Sequence, residues 1–207
     1  MAKQKKPLLK IEPFPTLEWD GYFWSATIKL PAWKGFQCRL GPYASQIGRK
    51  KSDGTVRLSV STLDGEEQTP PSPEQAAAYR DLIAHQEIIR DSILQAVFRE
   101  YPDYRASYVA DYDLDESDET LPLLNRPEQL KDLIGLSSLL IHDVVREGIA
   151  YVGYGFGCEW EEEHGLGAMM HRDRVVTVGH ADVGILEWIA ERDAKAPRRK
   201  KRGLSAT

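Results

Sequence analysis

The sequence predicts an α+β fold: an antiparallel sheet covered by one long helix, with a C-terminal β-meander. Three observations carry this. Residues 17–62 alternate apolar and polar side chains at the period of two that a half-buried strand requires. Residues 73–101 change to helical spacing. From residue 136 to residue 180 the chain returns to short alternating runs separated by turn residues. A chain of 207 residues, 42% of them hydrophobic, is sized for one such domain.

The first strands are read from LEW, YFWSATIKLP and GFQCRL between Leu17 and Leu40, with Asp20-Gly21 as a hairpin turn. Trp19, Tyr22, Trp24, Trp33 and Phe36 are expected on them. In VRLSVST, Val56, Leu58 and Val60 face one way and Arg57, Ser59 and Ser61 the other, so one face is buried and one is wet.

A helix starts at TPPSPEQ, where Ser72 is the N-cap, Pro73 takes the first helical position and Gln75 completes a capping box. Tyr79, Leu82, Ile83, Ile89, Ile93, Val97 and Tyr101 recur at near-helical spacing as an apolar stripe, so a helix of about seven turns through Phe98 is expected to lie across the sheet. The following stretch, about 100–122, holds Glu100, Asp103, Asp111, Asp113, Asp115, Glu116, Asp118 and Glu119 against Arg105 alone, and is expected to be a solvated acidic insertion. Its Asp111, Asp113 and Asp115 fail as a calcium loop, because Glu116 stands where glycine is required and Pro122 where glutamate is. Tyr101, Tyr104, Tyr108 and Tyr112 beside these carboxylates offer contact area and charge together, as an interface to a basic protein needs.

A short helix over 127–133 leads into the meander: LSSLLIHDVV, the turn Arg146-Glu-Gly, IAYVGYGFGCEW, LGAMMHR and VVTVGH, with ADVGILEWIAERD as a closing helix. Gly153, Gly155 and Gly157 leave one strand face bare, so something packs closely there; the long helix is the expected neighbour and a ligand the alternative.

The turn EEEHG, from Glu161 to Gly165, admits three readings. It is a solvated loop with Gly165 in a left-handed conformation. Alternatively His164, His171 and His180, with nearby carboxylates, hold a metal, although their spacing fits no standard motif. As a third, Glu163 works with His171 or His180 as an acid–base pair. Cys158 shares an apolar strand face and is expected to be buried, which disfavours it as a nucleophile.

The formal charge of −5 is unevenly distributed. The first ten residues carry four lysines and the segment from Lys195 onward six basic residues, so residues 11–194 keep 17 basic against 32 acidic residues, 17 − 32 = −15. Such a body steers basic partners in and repels nucleic acid, which only the tails could touch. Two distant cysteines, no signal-peptide pattern and no long apolar run give the expectation of a reduced, cytoplasmic protein away from membranes. The domain is assigned to 13–194, with disordered basic tails at 1–12 and 195–207.

GIAYVGYGFGCEWEEEHGLGAMMHRDRVVTVGHAD resembles the C-terminal signature of an uncharacterised bacterial domain family with a W-[DE]-E-E-H-G-L-G turn, and the aromatic strands followed by PSPEQ and a long helix are similar to its N-terminal half. The resemblance spans roughly residues 15–185 and is specific only in the turn. It implies a small binding protein related to toxin–immunity systems. Taken with the acidic body, the leading expectation is a non-enzymatic, cofactor-free protein-binding module, an immunity or inhibitor protein that neutralises a basic toxin. Tyr108, Asp111, Tyr112, Asp113, Asp115, Glu116 and Asp118 are its candidate contacts. The alternative is a metal-dependent hydrolase or small-ligand-binding enzyme built on the turn and the histidines.

Overall fold

A computed structural model describes residues 6–38, 50–62, 68–113, 121–161 and 163–197. One eight-stranded sheet runs through it in chain order: β1 (Leu8–Leu9), β2 (Leu17–Trp19), β3 (Trp24–Lys29), β4 (Thr55–Val60), β5 (Ile134–Arg146), β6 (Ile149–Cys158), β7 (Leu166–His171) and β8 (Arg174–His180). Between β4 and β5 come α1 (Pro73–Ala84) and α2 (Gln86–Asp111), and α3 (Glu187–Lys195) follows β8. No helix among the described residues is long and apolar enough to cross a membrane.

The α+β class and the antiparallel meander β5 to β8 are as expected, but the sheet is mixed rather than antiparallel throughout. β4 and β5 run parallel, Arg57 opposite Ser138 through Val60 opposite Ile141. The physical reason is the connection: two helices carry the chain back along the sheet, so it re-enters in its previous direction, as a helical crossover does.

Val56, Leu58 and Val60, then Leu139 and Ile141, then Val152, Tyr154 and Phe156 form one face, and Leu82, Ile89, Ile93 and Val97 of the helices close over it in the main core. Each such side chain contributes about 1.5–3 kcal/mol by leaving water. The capping box forms: Ser72 Oγ accepts from the Gln75 amide at 3.2 Å and Gln75 Oε1 accepts from the Ser72 amide at 2.9 Å.

The helix departs from expectation at both its middle and its end. It breaks at His85 into α1 and α2, and α2 continues past Pro102 to Asp111. Residues 100–111 are therefore helical rather than a loop. Proline removes one helical hydrogen bond, but Tyr101 and Tyr104 each pack on Trp160 with ring centroids 5.5 Å apart, which holds the extra turns in place. Two smaller differences lie at the N-terminal side. The described part of GFQCRL, residues 35–38, is no strand: Gln37 forms a single bridge to Lys51, while Trp33 sits in a 3-10 turn against Phe36 and Phe156. The sheet also starts earlier than the assigned tail boundary, since Leu8 and Leu9 pair with Glu18 and Leu17.

The bare glycine face is not covered by the long helix, which occupies the opposite side. A Cβ built on Gly153 would lie 1.7 Å from the Gly184 carbonyl oxygen, so the 3-10 turn Ala181–Gly184 rests directly on β6. Beside it α3 buries Ile189 and Ala190 against Tyr151 and Met169. Asp193 fastens α3 by accepting from Tyr151 Oη at 2.7 Å, Arg146 Nη1 at 3.1 Å and Arg174 Nη1 at 3.0 Å. Burial raises the Asp193 pKa, but the bonds from Arg174 and Tyr151 outweigh it and hold the carboxyl at about 2.

Candidate functional site

The charged turn closes the hairpin between β6 and β7. Gly165 takes φ +73°, and its amide donates to the Glu161 carbonyl at 3.0 Å. A Cβ there would also strike the Phe156 carbonyl oxygen at 2.3 Å, so both the conformation and the space require glycine. Exposed His164 has its Nδ1 3.3 Å from Glu161 Oε1. Glu163 is exposed in the same turn. Cys158 is fully buried behind it, with Sγ 3.6 Å from the Glu161 carbonyl.

Strand geometry separates the three histidines. His171 ends β7, whose first residue Leu166 follows the turn, and five residues of strand span about 17 Å. There Nε2 of His171 donates to the Arg146 carbonyl at 2.9 Å, its ring lies 4.7 Å from that of Tyr151, and burial lowers its pKa. Neither Glu163 nor His164 is thus brought to His171. His180 pairs with Leu166 at the turn end of the sheet and lies on the α2 side, whereas His164 borders the glycine side. Among the described residues no three His, Cys, Asp or Glu side chains are grouped as a metal would need.

What does converge is the end of α2 with the turn. Tyr108 and Asp111, Asp103 and Tyr104 from the helix, Trp160 and Glu161 from the turn, and His180 from β8 line one cleft of about 440 Å³. The register of one helical face explains it, since 104, 108 and 111 recur at four and three residues. Tyr104 stacks on Trp160 with the rings inclined by 10°, and burial first, then the neighbouring carboxylates, raises its phenol pKa. Tyr108 and Tyr112 lie 4.7 Å apart between centroids, and Tyr112 is 64% exposed. Asp113 follows the helix with φ +49°. Asp115, Glu116 and Asp118 lie outside the described residues. The local electrostatics compound the charge: α2 has no basic residue in its last turn, so its negative dipole end and the Asp111 carboxylate coincide. Arg105, the basic side chain of this stretch, donates from Nε to the Leu121 carbonyl at 2.7 Å.

A second concavity lies on the glycine face, where the sequence left a ligand as the alternative to the long helix. On the glycine side, past the edge of the Ala181–Gly184 turn, a cleft of about 840 Å³ lies over β4, β5 and β6 and is lined by Ser59, Ser61, Ser137, Ser138, His142 and Gly155 among others. The legible signal was the period-two pattern itself, serines on β4 and glycines on β6 leaving one face without bulk.

Searches of curated proteins and of solved structures returned no match. A family model does match, over residues 14–186. With β2 to β8, α1, α2 and the turn inside those bounds, and only β1 and α3 outside them, the chain belongs to the DUF6985 family, a domain of unknown function.

Proposed function

We propose that this chain is a protein-binding module, an immunity or inhibitor protein that neutralises a basic toxin through the surface at the C-terminal end of α2. The observation that carries the reading is the cleft in which Tyr104, Tyr108 and Trp160 stand among Asp103, Asp111 and Glu161. Tyr and Trp are the side chains that dominate protein recognition energies. Here Tyr104 is already immobilised by its stack on Trp160, so little side-chain entropy remains to be lost on binding. The Asp111 carboxylate coincides with the negative end of the α2 dipole, which costs folding stability and is repaid when a cationic surface docks. The acidic charge of residues 11–194 extends the same field and steers such a partner toward it. Within this reading the compartment is the cytoplasm, no cofactor is used, and nucleic acid is met only through the basic tails.

Native co-purification from the source organism tests this. A stoichiometric basic companion held at low salt and released at high salt agrees with the proposal. A companion that is acidic, or one indifferent to salt, contradicts it.

A further inference from the structure

We propose that the glycine side of the sheet, opposite α2, is a separate small-molecule site that takes an uncharged heteroaromatic ring bearing N–H or amino donors, hydrogen-bonded to His142.

The cleft of about 840 Å³ falls within the roughly 300–1,000 Å³ of small-ligand sites. It exists because the second cover stops short: the Ala181–Gly184 turn and α3 lie over Gly153, Met169 and Tyr151, while Gly155 and Gly157 further along β6 line the cleft, with Ser138 Oγ close over Gly155. Glycines there present flat backbone, and Phe23, Leu140 and Ile185 supply apolar surface around it. A planar ring suits such walls better than a polyol does.

The polar groups then select the ligand. His142 is 2% exposed and lines the cleft. Its Nε2 lies 3.0 Å from the Gly184 carbonyl, which can only accept, so the proton is on Nε2 and Nδ1 carries a lone pair. Nδ1 has no hydrogen-bond partner among the described residues, and no side-chain nitrogen or oxygen sealed from solvent among them lacks one, so Nδ1 retains access to solvent. A β-bulge between Leu136 and Ser138 turns two consecutive serines toward the cleft. Ser137 Oγ spends its proton on the Gly155 carbonyl at 2.9 Å and Ser61 Oγ on the Ile141 carbonyl at 3.1 Å, leaving lone pairs. Burial keeps the imidazole neutral, lowering its pKa against the hydrogen bond to Gly184. At His142, Ser61 and Ser137 the site therefore offers acceptors and asks for donors. It does not suit an anion, because Arg57 at its edge is paired with Asp20.

The test is an amide and imidazole NMR titration of the full chain with 2-aminopyrimidine, indazole and adenosine, and with inorganic phosphate and benzylamine as contrasts. Saturable shifts at Gly153, Gly155 and Gly157, with the His142 Nδ1 resonance moving as it accepts a hydrogen bond, are expected for at least one of the three rings. His142→Ala should weaken that binding about tenfold. Should that variant lose its dispersed spectrum, Ser138→Val, which blocks the cleft from a bulged strand position, should weaken it comparably. The proposal is overturned if none of the three rings shifts these amides, if phosphate or benzylamine binds in preference, or if a folded variant binds unchanged. Because α2 lies on the other side of the sheet, failure here leaves the partner surface untouched.

Discussion

Gly153→Ala is the sharpest probe of how the second side of the sheet is closed. The added methyl would sit 1.7 Å from the Gly184 oxygen, 2.6 Å from its carbonyl carbon and 3.0 Å from its Cα, against an ordinary contact of 3.4 Å or more. All three atoms are backbone, so no rotamer relieves the overlap and the Ala181–Gly184 turn has to lift by about 1.7 Å. Overpacking of this kind costs about 1–3 kcal/mol. Lifting the turn also stretches the 3.0 Å bond from His142, and a buried donor left unpaired adds about 1–3 kcal/mol. A loss of about 3–5 kcal/mol is expected, a large part of the ~5–15 kcal/mol that holds a domain folded. Urea unfolding followed by circular dichroism reads it as a lower midpoint at unchanged slope. Gly179→Ala is the matched control, since its methyl meets only the Val183 side chain, at 3.0 Å, and should cost under ~1 kcal/mol. If Gly153→Ala unfolds within about 0.5 kcal/mol of wild type, or no worse than Gly179→Ala, the direct seating of the turn on β6 is wrong.

Three further outcomes follow from the same structure. Ser72→Ala removes the acceptor of the capping box and should cost about 1 kcal/mol in urea unfolding. Asp111→Asn should raise stability by about 0.3–1 kcal/mol, because the carboxylate opposes the α2 dipole, while weakening partner binding; a variant that is destabilised speaks against a functional strain there. His142 and His171 both have folded pKa values lowered by burial, so protonation favours the unfolded chain. Their contribution is complete above the unfolded value near 6.5 and declines as pH falls below it, so the urea midpoint should drop between about pH 8 and pH 5.

Much of this architecture could be read from local patterns. Ser72, Pro73 and Gln75 marked a helix start that forms as written, and the positive φ of Glu147 and Gly148 fits the turn read at Arg146-Glu-Gly. What escaped was set by tertiary contacts. Pro102 has the local character of a helix end, and tertiary contacts override it: Tyr101 and Tyr104 pack on Trp160, far along the chain, and Tyr101 and Arg105 bond to the Pro122 and Leu121 carbonyls. The parallel pairing of β4 with β5 depends on where the helices return the chain, which periodicity does not encode. At the candidate site the types were visible but not the sides: Tyr108 and Asp111 meet His180 across the turn, while His164 and His171 go elsewhere. His142 passed as one more strand residue, because its role depends on the Gly184 carbonyl that folds onto it.

Association kinetics with the companion captured at low salt test most directly whether the end of α2 is the partner surface. Wild type should bind quickly, with a rate that falls steeply as salt rises. The triple variant Asp103→Asn, Tyr108→Ala, Asp111→Asn should bind more slowly, with a shallower salt dependence and a loss of about 2 kcal/mol or more in affinity. A variant with the wild-type rate, salt dependence and affinity would place the partner surface somewhere else.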